Sequence, residues 1–258
     1  MIAHFYVMLQ LYMTSFIYIL LATFVCTLLG GLVAFRYKQY SHVFSGLTAG
    51  VLIAIVFLEI IPEIFEMNSS STLPLIWVVG GFVLFHILEK IFSLHHTHSE
   101  LEHEEHDHTH HHLTTRTTGA WALIGHSFID GLGIGLAYQV SPLFGSLFAV
   151  GVIAHDFSDG FNTVALTAHK SKKVSTRYLF VDAIAPSVGA LVGMSFVLPE
   201  HILAIVLSLF AGILLYVATG DVLPEAHCAK KRHTAQHISA FILGVVYIAV
   251  IVGFLGGH

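Results

Sequence analysis

Residues 119–168 read GAWALIGHSFIDGLGIGLAYQVSPLFGSLFAVGVIAHDFSDGFNTVALTA, two apolar runs joined at Ser141-Pro142, each with histidine and aspartate set inside it. Each run has about the 20 residues that a helix needs to cross a hydrocarbon core. The stretch therefore predicts two antiparallel membrane helices with a short turn between them. His126 and Asp130 stand at i and i+4, and so do His155 and Asp159. On a helix this spacing puts the imidazole and the carboxylate one turn apart on one face, which is metal-ligand spacing. Ionisable groups in hydrocarbon are costly and are as a rule kept for function.

The rest of the chain agrees with a membrane setting. Of its 258 residues 55% are hydrophobic and only 10% are charged, and the mean hydropathy is +0.80; soluble domains carry roughly 25% charged residues. The formal charge is −5, with 20 histidines that titrate around neutrality, and nothing is basic enough to suggest a nucleic-acid partner. Cys26 and Cys228 form no paired pattern and read as free thiols. No signal peptide is visible, so the first apolar run is expected to remain as a span.

Eight segments are apolar enough to cross, near 13–35, 43–64, 73–92, 119–140, 143–168, 178–198, 201–223 and 236–257. The fold class expected is all-α, a polytopic membrane bundle of eight transmembrane helices forming a single domain over residues 1–258. Lys and Arg set its orientation. Arg36 and Lys38 follow the first span, Lys90 and Arg116 flank the loop after the third, Lys170, Lys172, Lys173 and Arg177 follow the fifth, and Lys230, Lys231 and Arg232 follow the seventh. These are all 11 of the basic residues, and they fall on one side. Positively charged loops stay cytoplasmic, so both termini are expected to be non-cytoplasmic.

The one long connection, 93–118, is expected to be a cytoplasmic loop. It holds His95, His96, His98, His103, His106, His108, His110, His111 and His112 among Glu100, Glu102, Glu104, Glu105 and Asp107. Such a tract suits loose binding of zinc-like ions; the competing reading is a solvated linker.

Depth decides whether the two ligand pairs meet. At ~1.5 Å per residue, His126 and Asp130 lie roughly 10 and 16 Å from the cytoplasmic end of their span, and His155 and Asp159 roughly 18 and 24 Å from the outer end of theirs. Both pairs fall near mid-membrane on adjacent antiparallel helices, as one shared site requires. Two imidazoles and two or three carboxylates suit zinc, and also iron(II) or manganese(II). Asp156 points about 100° from His155, so Asp156 and Ser127 are candidates for a second, adjacent metal position. The competing reading is a structural polar network between helices. Gly131 and Gly135, and Gly189 and Gly193, have the GxxxG spacing of close helix contacts. Asp182 stands one turn before Pro186, whose missing N–H frees a carbonyl. Glu59, Glu63 and Glu66, with Glu200 and His201, lie toward the outer side, where no Lys or Arg competes for cations. Asp221, Pro224, Glu225 and His227 are candidates for an exit site, and His86 and Glu89 read as structural or accessory.

At these residues the sequence resembles the ZIP (ZRT/IRT-like) family of metal-ion transporters. The motifs are His126-Ser127-Phe128-Ile129-Asp130-Gly131, His155-Asp156-Phe157-Ser158-Asp159-Gly160, Leu58-Glu59-Ile60-Ile61-Pro62-Glu63 and Leu223-Pro224-Glu225-Ala226-His227, together with the His-rich loop. The resemblance implies an eight-span transporter that moves a divalent ion, typically zinc, toward the cytoplasm. It implies His126, Asp130, His155 and Asp159 as primary ligands, with Ser127 and Asp156 around the second position. The chain departs from the family pattern at Ser127, where Asn is usual, at its aspartates, where Glu is frequent, and at Ala185, where Glu often precedes the proline. Asp182, one turn earlier, is the candidate to substitute for that Glu.

The function expected is zinc uptake without ATP, with Fe2+, Mn2+ or Cd2+ as other cargo. The protein is then not an enzyme, its partners are the ion, the lipid bilayer and optionally a second copy in a homodimer, and its place is a bacterial inner membrane. Two alternatives come from other classes. An intramembrane metal-dependent hydrolase would need an open coordination position and a general base, and no HExxH is present. A metal sensor would depend on residues 95–112.

Overall fold

Helices begin where the sequence supplies caps. Ser141 accepts from Phe144 N–H at 3.0 Å with Pro142 in the first helical turn, and Ser171 accepts from Val174 N–H at 3.4 Å. The computed structural model describes residues 2–37, 41–67, 73–97, 108–219 and 231–255, and the regular structure among them is all helical. The chain forms α1 (Ile2–Ala34), α2 (Ser41–Ile55), a π turn (Val56–Ile60), α3 (Ile61–Met67), α4 (Leu73–Thr97), α5 (His108–Val140), α6 (Pro142–Thr167), α7 (Lys172–Ser195), α8 (Glu200–Val217) and α9 (Lys231–Leu255). With α2, the π turn and α3 counted as one rod, these are the eight rods expected.

Among the described residues six stretches are long and apolar enough to cross a membrane: Met13–Ala34, Val43–Met67, Gly119–Val140, Lys172–Ser195, Glu200–Val217 and Thr234–Phe254. The apolar part of α4, Leu73–Leu88, is shorter. Helix α6 has the length, 26 residues, but is not among the six; His155, Asp156 and Asp159 dilute its apolar character. The protein is an integral membrane protein.

Helix boundaries differ from the sequence expectation where apolar character ends before helical hydrogen bonding does. Helix α4 continues to Thr97 and α5 starts at His108, so helix enters both ends of the 93–118 stretch. Extending an existing helix needs no apolar residue, since each added residue gains a backbone hydrogen bond without a new nucleus. The π turn has a local cause. Pro62 has no N–H and its ring crowds the carbonyl four residues back; just before it the ladder widens, and Ile61 N–H bonds Val56 O.

The tightest pairings are α5 with α7, α1 with α6, α2 with α9, α5 with α6 and α4 with α8. Glycine makes the first two possible. A Cβ on Gly131 would lie 1.9 Å from Pro186 O, and one on Gly160 would lie 1.9 Å from Thr27 O. These are the glycines that end the two His–Asp motifs. Each lets its helix press backbone to backbone on a neighbour and so fixes the motif laterally. The GxxxG pairs of α5 and α7 face each other, with Gly189 against Phe128 O and Gly135 against Ala190 O. Helices α5, α6, α1 and α7 thus form one group around the two motifs. Beside it, Leu52, Ile55, Ile134, Phe148, Leu207 and Phe210 belong to one buried apolar cluster.

Candidate metal centre

Helix α5 contributes His126 and Asp130, and α6 contributes His155 and Asp159. All four are buried, and one ligand atom from each lies within 4.8 Å of the others. Asp130 is the hub. Its Oδ2 is 3.0 Å from His155 Nε2 and 3.1 Å from His126 Nε2, while Asp159 Oδ2 is 3.8 Å from His155 Nε2. The two imidazole rings lie 5.9 Å apart between centroids.

The hydrogen bonding of His155 indicates what the arrangement lacks. Its Nδ1 is 2.9 Å from Gly151 O. A carbonyl only accepts, so Nδ1 donates, and in the neutral ring Nε2 carries a lone pair. That lone pair faces a carboxylate oxygen at 3.0 Å. Two acceptors so placed repel unless a proton or a metal ion lies between them. Both ring nitrogens of His126, Asp130 Oδ1 and Asp159 Oδ2 are also buried without a hydrogen-bond partner among the described residues. A structural polar network would satisfy these groups internally. This one leaves its lone pairs converging, as a ligand set does. Fixing Nδ1 on a backbone carbonyl is also how metal-binding histidines are commonly oriented.

The residues assigned to a second position arrange differently. Ser127 Oγ donates to Asp182 Oδ1 at 2.8 Å, and Thr163 Oγ1 donates to Asp182 Oδ2 at 2.8 Å. Asp182, fully buried on α7, therefore has both oxygens engaged and ties α7 to α5 and α6. Asp156 is also fully buried, with neither oxygen partnered among the described residues. Neither aspartate belongs to the four-residue group. Pro186 lies inside α7 without ending it.

Elsewhere, Glu59 sits half-buried on the π turn, and Glu200 and His201 are exposed at the start of α8. A cavity of about 700 Å³ opens beside the α5–α6 turn between Tyr138, Gln139 and Glu200, away from the four ligands. Asp221, Pro224, Glu225, His227 and Cys228 lie outside the described residues, as do 98–107 of the His-rich stretch. Sequence reasoning missed Thr163 and the Gly151 carbonyl. Both had a signal: each stands four residues from a site residue of α6, Asp159 and His155, on the same helical face.

A family model described as ZIP zinc transporter matches residues 9–121 and 95–252. The chain belongs to the ZIP zinc transporter family. It is 26% identical over 259 residues to the zinc transporter ZupT of Streptococcus mutans, an alignment covering 92% of this chain and 96% of that one. To the zinc transporter ZupT of Corynebacterium glutamicum it is 25% identical over 245 residues, 86% of this chain and 92% of the relative. The metal cation symporter ZIP8 of Rattus norvegicus is 31% identical over 136 residues, 50% of this chain and 28% of its own length. The resemblance read from the paired motifs is borne out. Within the ZIP family pattern, the departure at Ala185 leaves a buried methyl where a carboxylate is frequent, and Asp182 one turn earlier is held by hydroxyls.

Proposed function

We propose that this chain carries divalent metal ions, zinc foremost, across the membrane toward the cytoplasm, and that His126, Asp130, His155 and Asp159 are the ligands that hold the ion in transit. The observation that carries this reading is the convergence of two imidazoles and two carboxylates, among which both ring nitrogens of His126, Asp130 Oδ1 and Asp159 Oδ2 are buried without a hydrogen-bond partner among the described residues. Two neutral imidazoles and two carboxylates make a neutral four-ligand set for a divalent ion, with N and O donors suited to zinc and tolerant of Fe2+, Mn2+ or Cd2+. Charge neutrality serves holding and releasing an ion. It does not serve acidifying bound water, and this weighs against the hydrolase alternative.

One ion at this centre is the stoichiometry that follows, because Asp182 and Ser127 spend their hydrogen-bonding capacity on each other and on Thr163. Asp156 then adds negative charge next to the centre and does not complete a second one. In this reading all eight rods cross the membrane and the single domain spans 1–258. Both termini are non-cytoplasmic and the His-rich segment is cytoplasmic, as the one-sided Lys and Arg distribution argues. The outer face, free of basic residues, concentrates cations at Glu59, Glu63, Glu66 and Glu200. The similarity to bacterial ZupT proteins supports a bacterial inner membrane as its location; a homodimer is compatible with the exposed apolar faces of α1 and α9. Proteoliposomes containing the full chain test the reading: zinc uptake is expected for the wild type and its loss for Asp130→Ala and Asp159→Ala. Undiminished uptake by both variants would overturn the ligand assignment.

A further inference from the structure

Histidines also lie inside apolar helices outside the centre: His237 is buried on α9, and His86 stands on α4. His86 lies on α4 two residues before the apolar stretch Leu73–Leu88 ends, and its side chain is exposed along the α4–α8 seam. An imidazole facing hydrocarbon costs free energy, and such groups mark ion pathways more often than packing. Its orientation is fixed: His86 Nδ1 is 3.1 Å from Tyr216 OH of α8, with the rings 5.6 Å apart between centroids. The hydrogen bond occupies Nδ1; in the tautomer whose Nδ1–H donates to the Tyr216 oxygen, Nε2 carries the lone pair and is the ligand atom, as it is in His155.

His86 is also connected to the centre. Phe85, its neighbour on α4, packs edge-on against His126 at 6.4 Å and against Tyr216 at 5.6 Å. A single phenyl ring thus separates the imidazole of the centre from the Tyr216–His86 pair. Beyond His86, α4 runs on through Glu89 at i+3 to Thr97, where the His-rich segment begins. The residues in order are a four-ligand centre, an aromatic barrier, an oriented imidazole at the edge of the apolar zone, and a tract rich in imidazoles.

We propose that His86 is a transit ligand for a divalent metal ion, receiving it through Nε2 once the ion has left the four-residue centre past Phe85. The inference rests on the transport reading above and deepens it by assigning a second, sequential stop on a different helix. A transit ligand must bind weakly, and a site with one oriented imidazole completed by water does so. Tyr216 is a positioning residue that acts through His86.

The competing explanation is that His86 and Tyr216 merely join two helices, and ligand softness separates the two. Full-length wild-type protein, His86→Cys and His86→Asn are compared in proteoliposomes for Zn2+ and Cd2+ flux. Asn keeps an amide atom where Nδ1 meets Tyr216 but offers no imidazole, whereas Cys offers a thiolate that prefers the softer ion. Under the proposal, both variants lower zinc turnover with KM at the loading side unchanged, and His86→Cys alone raises the Cd2+-to-Zn2+ ratio by roughly threefold or more, following the thiolate preference for soft ions. Equal slowing of both metals in both variants would assign the pair to helix packing and overturn the proposal, and so would wild-type behaviour of both. If the wild type moved neither ion, the transport reading would fall and the inference with it. Flux by the wild type with an unchanged ratio in His86→Cys removes the inference alone.

Discussion

Two clusters of buried polar residues sit side by side in the helix bundle, and they differ in what they lack. In the first, Asp130 Oδ2 faces two imidazole nitrogens at 3.0 and 3.1 Å without protons enough to satisfy them. In the second, Asp182 receives one hydroxyl on each oxygen at 2.8 Å. Both are buried, and both contain residues that sequence reading placed at metal positions. Satisfaction separates them: a cluster whose donors and acceptors match is complete as it stands, and one whose acceptors outnumber its protons needs a further cation. Buried polarity alone does not identify a ligand set.

That contrast breaks if the two clusters respond alike to substitution. The largest effect is expected at the hub. Asp130→Ala removes the oxygen shared by both imidazoles, and zinc affinity measured by calorimetry on the solubilised protein should fall by about 100-fold or more, beyond the roughly 10- to 100-fold typical when a residue hydrogen-bonded to a metal ligand is lost. Next come the glycines that clamp the motifs. Gly131→Ala or Gly160→Ala sets a methyl against a backbone oxygen 1.9 Å away, so the helices must part, and thermal unfolding in detergent should report a loss of about 1–3 kcal/mol. For Asp182→Asn the order of effects reverses relative to Asp130. An amide presents one acceptor where two hydroxyls donate, which costs stability by about 1–3 kcal/mol as an unsatisfied buried group, while zinc affinity stays far above that of Asp130→Ala, because Asp182 bonds Ser127 and Thr163 and none of the four clustered residues. The smallest effect is Ser127→Ala, about 1 kcal/mol of stability for one lost hydrogen bond, with zinc affinity unchanged. A drop in zinc affinity for Asp182→Asn as large as that for Asp130→Ala would merge the two clusters into one metal site.

The cluster of four was legible because helical geometry is local. An i, i+4 pair defines a face, and residue counting from a short turn defines a depth, so His126, Asp130, His155 and Asp159 could be expected to meet before any packing was known. The GxxxG spacings were legible as close contacts but not as pairs, since nothing in the sequence says that Gly160 abuts Thr27 or that Gly131 abuts Pro186. Asp182 was the hardest to read. Its partners, Ser127 and Thr163, come from two other helices, and whether a buried aspartate meets hydroxyls or an ion depends on rotation of three helices at once. Helix ends were also obscured at α4 and α5, where hydropathy falls while the helix continues.

The most direct test of one ion held by four residues is a zinc titration of the purified full-length wild type beside Asp130→Ala and Asp182→Asn, read as the number of tightly bound ions per chain. The expected result is one ion for the wild type, one for Asp182→Asn and none for Asp130→Ala. Two ions for the wild type, with one of them lost in Asp182→Asn, would contradict it.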